Sequence, residues 1–297
     1  MIRLKDYSVK RGSFTLLIPD ITLDGKRNFI IGKNGAGKTT LLQSMAGLVE
    51  SKGEFEVNGR SISSLEPQKR KIGYIPQDLL LFGNMTVEGN LLSSIRYGNG
   101  DIEVYREVTD RMSLDPLLPK RTNEISLGQA QKVAIARAII SRPSVLLMDE
   151  PFSFQDEISR LGLISLIDEF SRKYDFDFVY ATHNAKDLEV GFSSLISIDE
   201  GKVVEVVDSV SKITHYRTLS LLDYKNLASL NGRYYLLIEK SIEFSDISGN
   251  DYEIVGTDEN RYVRFSIDGN YYFASIKAIP TGRYLRLLPD LARELIY

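Results

Sequence analysis

The stretch Gly32 to Thr40, G-K-N-G-A-G-K-T-T, constrains the fold of this 297-residue chain more than any other. It satisfies the phosphate-binding pattern GxxxxGK(S/T), with Gly32, Gly37, Lys38 and Thr39 at the fixed places. Glycine accepts positive φ at no steric cost, so the backbone through Gly32, Lys33, Asn34, Gly35, Ala36 and Gly37 curls its N–H groups inward as a nest for phosphate oxygens. A helix opening near Lys38 and running through Thr39 and Thr40 adds unpaired N–H groups and the positive end of its dipole. Lys38 is placed as a point charge for the β- and γ-phosphates, and the Thr39 hydroxyl for Mg²⁺. Asn28-Phe29-Ile30-Ile31 reads as a buried strand, and Leu41, Leu42, Met45 and Leu48 recur afterwards at helical spacing. The pattern therefore stands in the strand–loop–helix setting it requires.

A chain of this length has room for about two domains, each with a core. Hydrophobic content of 43% and charged content of 26% suit an ordinary globular protein. The net charge of −3 speaks against a nucleic-acid-binding tail or a polybasic membrane anchor. No stretch approaches the ~20 apolar residues that cross a bilayer. Met1-Ile2-Arg3-Leu4-Lys5 carries charges where a signal peptide needs its apolar centre. The expectation is a cytoplasmic protein that meets a membrane through a partner. With no cysteine there are no disulfides and no thiolate metal site, which fits a reducing compartment.

Taken in order, Ile2 to Leu23 alternates apolar and polar residues around a turn near Arg11-Gly12-Ser13, which predicts an antiparallel pair. Gly53 to Gly59 reads as a strand closed by Asn58-Gly59. Ile72 to Ile75 is a strand that stops at Pro76, just before Gln77. From Leu79 to about Lys120 the signal is irregular and mostly helical, as of a segment inserted into a nucleotide-binding core. Ser126-Leu127-Gly128-Gln129 opens a helix striped by Val133, Ala136 and Ile140, and Pro143 follows it. Val145-Leu146-Leu147-Met148 is a continuous apolar strand, as in a parallel sheet buried on both faces, and delivers Asp149 and Glu150 at its end. A helix with Leu163, Leu166, Ile167 and Phe170 precedes the strand Phe178 to Ala181, which ends at Thr182-His183. A hairpin, Leu195 to Val206 with its turn at Asp199-Glu200-Gly201, closes the first domain.

From about Asp208 the character changes. A helix around Thr214 to Leu227 is followed by short β-type runs at Tyr234 to Ile238, Tyr252 to Val255, Tyr262 to Phe265 and Tyr271 to Ala274. Turns at Ser248-Gly249-Asn250 and Asp268-Gly269-Asn270 separate them, and the spacing predicts a small barrel or sandwich.

Asp149 is placed to hold Mg²⁺, and Glu150 to orient or deprotonate an attacking water. Gln77 and His183 both follow short strands, where their side chains can sense a γ-phosphate. The order of these elements resembles the ATP-binding subunit of ABC transporters over Met1 to about Val206. Gly32 to Thr39 corresponds to Walker A, Gln77 to the Q-loop, Ile125 to Gln129 to the signature motif and Val145 to Asp149 to Walker B. Glu150 corresponds to the catalytic glutamate, Ser153-Phe154-Gln155-Asp156 to the D-loop and His183 to the switch histidine. The resemblance implies an α/β P-loop NTPase fold of ABC ATPase type, a mixed sheet with a helical subdomain, over residues 1–207. It implies ATP and Mg²⁺ as ligands, with Gln77 joining Thr39 and Asp149 around the cation. It further implies a head-to-tail homodimer in which Ser126, Gly128 and Gln129 reach the nucleotide bound by the other copy. Integral membrane subunits would dock near Gln77 to Met85, with an external substrate-binding protein beyond them and the ATPase peripheral on the cytoplasmic face.

Three departures from the family pattern stand out. Leu127 occupies the usual first glycine of the signature motif, Gln155 a usual leucine of the D-loop, and Arg11 a usual aromatic that stacks on adenine. Arg11 can stack through its planar guanidinium, or Phe14 can substitute. The tail, 208–297, weakly resembles the OB/TOBE-like regulatory β-domain of importer ATPases for oxyanions, metal ions, sugars or polyamines. The expected function is an ATP-hydrolysing importer subunit. The alternatives are a soluble ABC-type ATPase and a nucleotide-gated regulatory module, the latter favoured by Leu127.

Overall fold

The apolar runs converge on one sheet, and its order decides where the polar loop residues end up. In the computed structural model the described residues are 1–98, 100–152, 157–183, 187–188 and 192–208, with the later strands given below by their backbone. The chain divides into one unit comprising Met1–His183 and Phe192–Val206, and a second comprising Asn184–Gly191 and Val207–Tyr297.

The first unit opens with β1 (Ile2–Arg11), β2 (Phe14–Ile18) and β3 (Ile21–Leu23). β1 and β2 form the antiparallel pair that the alternation predicts, Arg11 opposite Phe14. β3 folds back along the start of β1, Ile2 opposite Leu23. The strand β5 (Lys52–Val57) runs antiparallel on the other edge of β1. Asn58 and Gly59, at φ 50° and 74°, turn it into β6 (Arg60–Ser61) as a two-residue hairpin, the conformation that favours Asn-Gly.

Parallel strands make up the other half of the sheet. β4 (Arg27–Ile31) lies between β9 (Asp177–Thr182) and β10 (Ser194–Asp199), with β8 (Val145–Asp149) beside β9 and β7 (Ile72–Ile75) outermost. All four pairings are parallel. Every residue of β8 is buried, as the unbroken Val-Leu-Leu-Met run requires. β11 (Lys202–Asp208) closes the hairpin with β10 and joins the two halves, giving eleven strands in the order β6-β5-β1-β2-β11-β10-β4-β9-β8-β7 with β3 beside β1.

Helix α1 (Lys38–Met45) follows the phosphate loop and buries Leu41, Leu42 and Met45. Leu48 does not extend that stripe. The helix stops before Gly47, whose φ is 81°, and Leu48 is 58% exposed. Between β7 and β8, α2 (Val87–Tyr97) and α3 (Ile102–Arg111) fall in the mostly helical insertion predicted from Leu79 to about Lys120, and α4 (Leu127–Ile140) is the helix predicted to open at Ser126. α5 (Glu157–Tyr174) then leads into β9.

In the second unit the described strands are β12 (Leu227–Leu230), β13 (Arg233–Leu236), β14 (Ile242–Ser245), β15 (Tyr252–Thr257), β16 (Asn260–Ile267), β17 (Asn270–Ile276), β18 (Tyr284–Leu287) and β19 (Arg293–Glu294). Among the described residues they pair as three antiparallel sheets, β12-β13-β19, β14-β18 and β15-β16-β17. β16 and β17 pair antiparallel, Ile267 opposite Asn270, while Asp268 and Gly269 lie outside the described residues. β14 pairs with the distant β18, and Ser248-Gly249-Asn250 lies outside the described residues. The helix expected before Leu227 falls outside the described residues.

Candidate active site

Adjacent parallel strands bring their C-terminal ends to one edge, and loops that leave this edge converge. Ile31 of β4 sits opposite Thr182 of β9, and Ala181 sits opposite Asp149 of β8. Gly32, His183 and Glu150 each follow directly, so residues far apart in sequence meet at one place. Gln77 leaves β7 two residues past its end.

The phosphate loop is seated on the β10–β11 turn. Gly201 N–H donates to Ala36 O at 3.0 Å, and Leu17 N–H donates to Gly201 O at 2.7 Å. A Cβ on Gly32 would lie 2.4 Å from the Ile198 carbonyl oxygen, so only glycine permits this approach. Gly37, the N-cap of α1, has φ 115°, and Phe14 packs against it. Loop and first turn border an open cleft of about 550 Å³, lined by Asn34, Gly35, Gly37, Lys38, Thr39, Thr40, Gln77 and Glu150 with Arg11 and Phe14 at its rim. Arg11 is exposed and its Nη1 donates to Gln43 Oε1 at 3.2 Å, while Phe14 is half-buried.

Lys38 is only 5% exposed, so its charge needs nearby partners. Its Nζ donates to Gly32 O at 2.8 Å and Lys33 O at 3.3 Å, and Glu150 Oε1 lies 3.3 Å away. Glu150 has φ 49°, which turns its carboxylate back off the strand. Its Oε2 meets Nδ1 of the half-exposed His183 at 2.9 Å. Asp149 lies deeper, 1% exposed, with Tyr74 Oη 3.5 Å from its Oδ2. Burial pushes its carboxyl above the ordinary range; the Thr39 hydroxyl opposes that, Glu150 adds to it, and Lys38 and Tyr74 oppose it. Among the described residues, Asp149 Oδ1 has no hydrogen-bond partner.

That open oxygen, with the Thr39 hydroxyl beside it and Gln77 on the cleft wall, is a hard oxygen donor set of the kind Mg²⁺ takes. The residues present fit the cation. Bound there with a nucleotide, it would neutralise charge on phosphate oxygens.

Ser126, Gly128 and Gln129 stand elsewhere and do not line this cleft. Ser126 caps α4: its Oγ accepts from Gln129 N–H at 3.3 Å, and its own N–H donates to Gln129 Oε1 at 2.9 Å. The cap is exposed, and Leu127 beside it is 46% exposed. Ser126→Ala should lower stability by about 1 kcal/mol, the usual effect of losing a cap, read as a shifted urea midpoint with unchanged slope. Ser153 to Asp156 lie outside the described residues. Two residues the sequence did not single out touch residues of the site: Tyr74 Oη stands 3.5 Å from Asp149 Oδ2, and Gln43 Oε1 accepts from Arg11.

A glycine nest at a helix N-terminus, a buried lysine and two consecutive carboxylates at the C-terminal edge of a parallel sheet define a P-loop nucleotide-binding protein. The ABC transporter family profile matches residues 22–153. The molybdenum import ATP-binding protein ModC of Vibrio parahaemolyticus is 37% identical over 62% of this chain and 52% of its own length. The molybdate/tungstate import ATP-binding protein WtpC of Pyrococcus horikoshii is 31% identical over 81% of this chain and 73% of its own. A solved ATP-binding subunit of an ABC transporter superposes with a TM-score of 0.62 at 27% identity, covering 70% of this chain and 90% of that one. The chain belongs to the ATP-binding proteins of ABC transporters. It spans about half to three quarters of the length of these curated relatives.

Proposed function

We propose that this chain binds and hydrolyses ATP to drive an importer, acting as a head-to-tail homodimer on separate membrane subunits at the cytoplasmic face. The observation that carries the reading is the Glu150 carboxylate held between Lys38 and His183 at the end of the phosphate cleft. A carboxylate there can accept a proton from a water aimed at the γ-phosphate, while Lys38 and the loop N–H groups hold the phosphates in place. Thr39, Asp149 and Gln77 are assigned to Mg²⁺. Gly32 to Thr40, with Arg11 or Phe14 against the base, are assigned to the nucleotide. The exposed cap of α4 with Ser126, Gly128 and Gln129 is assigned to the nucleotide of the second copy, consistent with its place away from this cleft.

Residues 1–207 are read as the ATPase domain and 208–297 as a regulatory β-domain. Docking of membrane subunits is assigned to Gln77 to Met85, where Leu80 is 57% and Phe82 is 47% exposed. An external substrate-binding protein is expected to deliver the cargo. Relatives named for molybdate and tungstate favour an oxyanion as that cargo.

The test is affinity purification from detergent-solubilised membranes, with mass spectrometry of bound proteins and assay of Mg²⁺-dependent phosphate release. A polytopic membrane protein in near-equal amount, and turnover that stops in EDTA, are the expected results. Recovery without a membrane partner would shift the reading to a soluble ATPase, and absent turnover to a regulatory module.

A further inference from the structure

The cleft has two ends. Lys38, Thr39, Gln77 and Glu150 mark the phosphate end, with Glu150 Oε1 3.3 Å from Lys38 Nζ. A nucleoside triphosphate whose phosphates are held there must carry its base away from that end. Among the side chains lining the cleft, Arg11 and Phe14 come from outside the loop, α1 and the catalytic edge. They sit opposite each other at the close of the β1–β2 hairpin. Phe14 is already occupied. A Cβ on Gly37 would lie 2.9 Å from Phe14 Cζ, and one on Gly201 would lie 3.2 Å from Cε2 and Cζ. The ring is thus wedged between the N-cap of α1 and the β10–β11 turn, and it packs on the core. Turning it outward onto a base would unseat the loop that holds the phosphates. Arg11 has no such duty: it is exposed, and its Nη1 donates to Gln43 Oε1 at 3.2 Å. That bond ties one corner of the guanidinium to α1 and leaves its other N–H groups without a protein partner among the described residues.

We infer that Arg11 receives the edge of the base, and that this makes the cleft a site that takes guanine at least as well as adenine. The inference rests on the reading of the cleft as a nucleoside triphosphate site. A guanidinium carries only donors, set in a planar fork. Guanine offers such a fork two neighbouring acceptors, N7 and O6, whereas adenine offers N7 beside its own N6 donors. A bidentate pair is therefore open to guanine, and a single bond to adenine. An aromatic ring in the same place would stack on the π-face of any base and carry no such preference. Arg11 thus bears on which base is chosen as well as on how it is held.

The test is calorimetric titration with β,γ-imido-ATP and β,γ-imido-GTP, non-hydrolysable analogues, in Mg²⁺, for wild type, Arg11→Ala, Arg11→Lys and Arg11→Phe. Wild type should bind the guanine analogue as tightly as the adenine analogue, or more tightly. Arg11→Ala should lose about fivefold more affinity for the guanine analogue than for the adenine analogue, the low end of what a bidentate arginine–guanine pair discriminates, since Arg11 is exposed. Arg11→Lys keeps the charge and loses the fork, so its ratio should match that of Arg11→Ala. Both analogues carry the same phosphates, and the pull of a rim charge on them cancels from the ratio. Arg11→Phe should bind the two alike. A wild type that prefers the adenine analogue, or equal losses for both analogues in Arg11→Ala, would overturn the inference. A wild type that binds neither analogue would overturn the nucleotide-site reading itself.

Discussion

Glu150→Gln is expected to reduce steady-state phosphate release by at least about 100-fold while leaving ATP bound, since a positioned general base contributes on the order of 10² to 10⁴ in rate. The substitution keeps the shape of the side chain and its capacity to accept from His183, and removes the negative charge. In the free cleft that charge stands 3.3 Å from Lys38 Nζ, which is almost wholly buried. Removing it leaves Lys38 available to phosphate oxygens, so affinity should hold or rise. Bound nucleotide that is not turned over should also hold two copies together. Phosphate release, nucleotide binding by fluorescence and mass by light scattering with and without ATP measure the three consequences. Turnover within a few-fold of wild type would remove Glu150 from the chemistry.

The second large effect is expected at Gly32→Ala, and it comes from the backbone. The new methyl would stand 2.4 Å from the Ile198 carbonyl oxygen and 3.1 Å from Ala36 Cβ. A strand carbonyl cannot swing aside as a side chain can, so the loop must lift from the β10–β11 turn. Overpacking of this kind costs about 1–3 kcal/mol in stability. Nucleotide affinity should fall at least about tenfold, because the N–H groups that cradle phosphate lose their common focus. Gly162→Ala in α5 is the matched comparison, since a methyl there meets nothing within 4 Å among the described residues. That variant should bind nucleotide normally and gain up to about 1 kcal/mol. Urea unfolding and nucleotide titration of both variants separate the two cases; equal behaviour would show that contact with Ile198 does not seat the loop.

The sequence made the phosphate loop and its neighbours legible because their residue types serve one conformation each. Gly37 needs a φ of 115°, and a fully buried parallel strand selects a run such as Val145 to Met148. Sheet order was not legible, since nothing local to Asn28-Phe29-Ile30-Ile31 says that strands from much later in the chain flank it. Leu48 misled because helical spacing continues past the point where Gly47 turns the backbone away. Short tyrosine-rich runs gave strands of the second unit but not their partners, since pairing such as Phe244 with Leu285 depends on distant chain. Glu150, Lys38 and His183 could each be picked out as candidates, but their mutual contacts and that of Tyr74 with Asp149 could not, because these follow from register between strands.

The seating of β4 between β9 and β10 also sets a timetable. Phe29, Ile30 and Ile31 leave the ribosome about 150 residues before Tyr180 to Thr182 and Leu195 to Ser197, against which they pair. At ordinary rates of synthesis the interval is about 10–30 s. Throughout it the phosphate loop has neither strand to hold its stem nor Gly201 to hold Ala36. A nascent chain halted after Walker B would therefore carry the whole Walker A sequence and have no formed phosphate site. Nucleotide binding should appear late and abruptly, once the hairpin after His183 emerges, and stalled chains of increasing length would reveal that step.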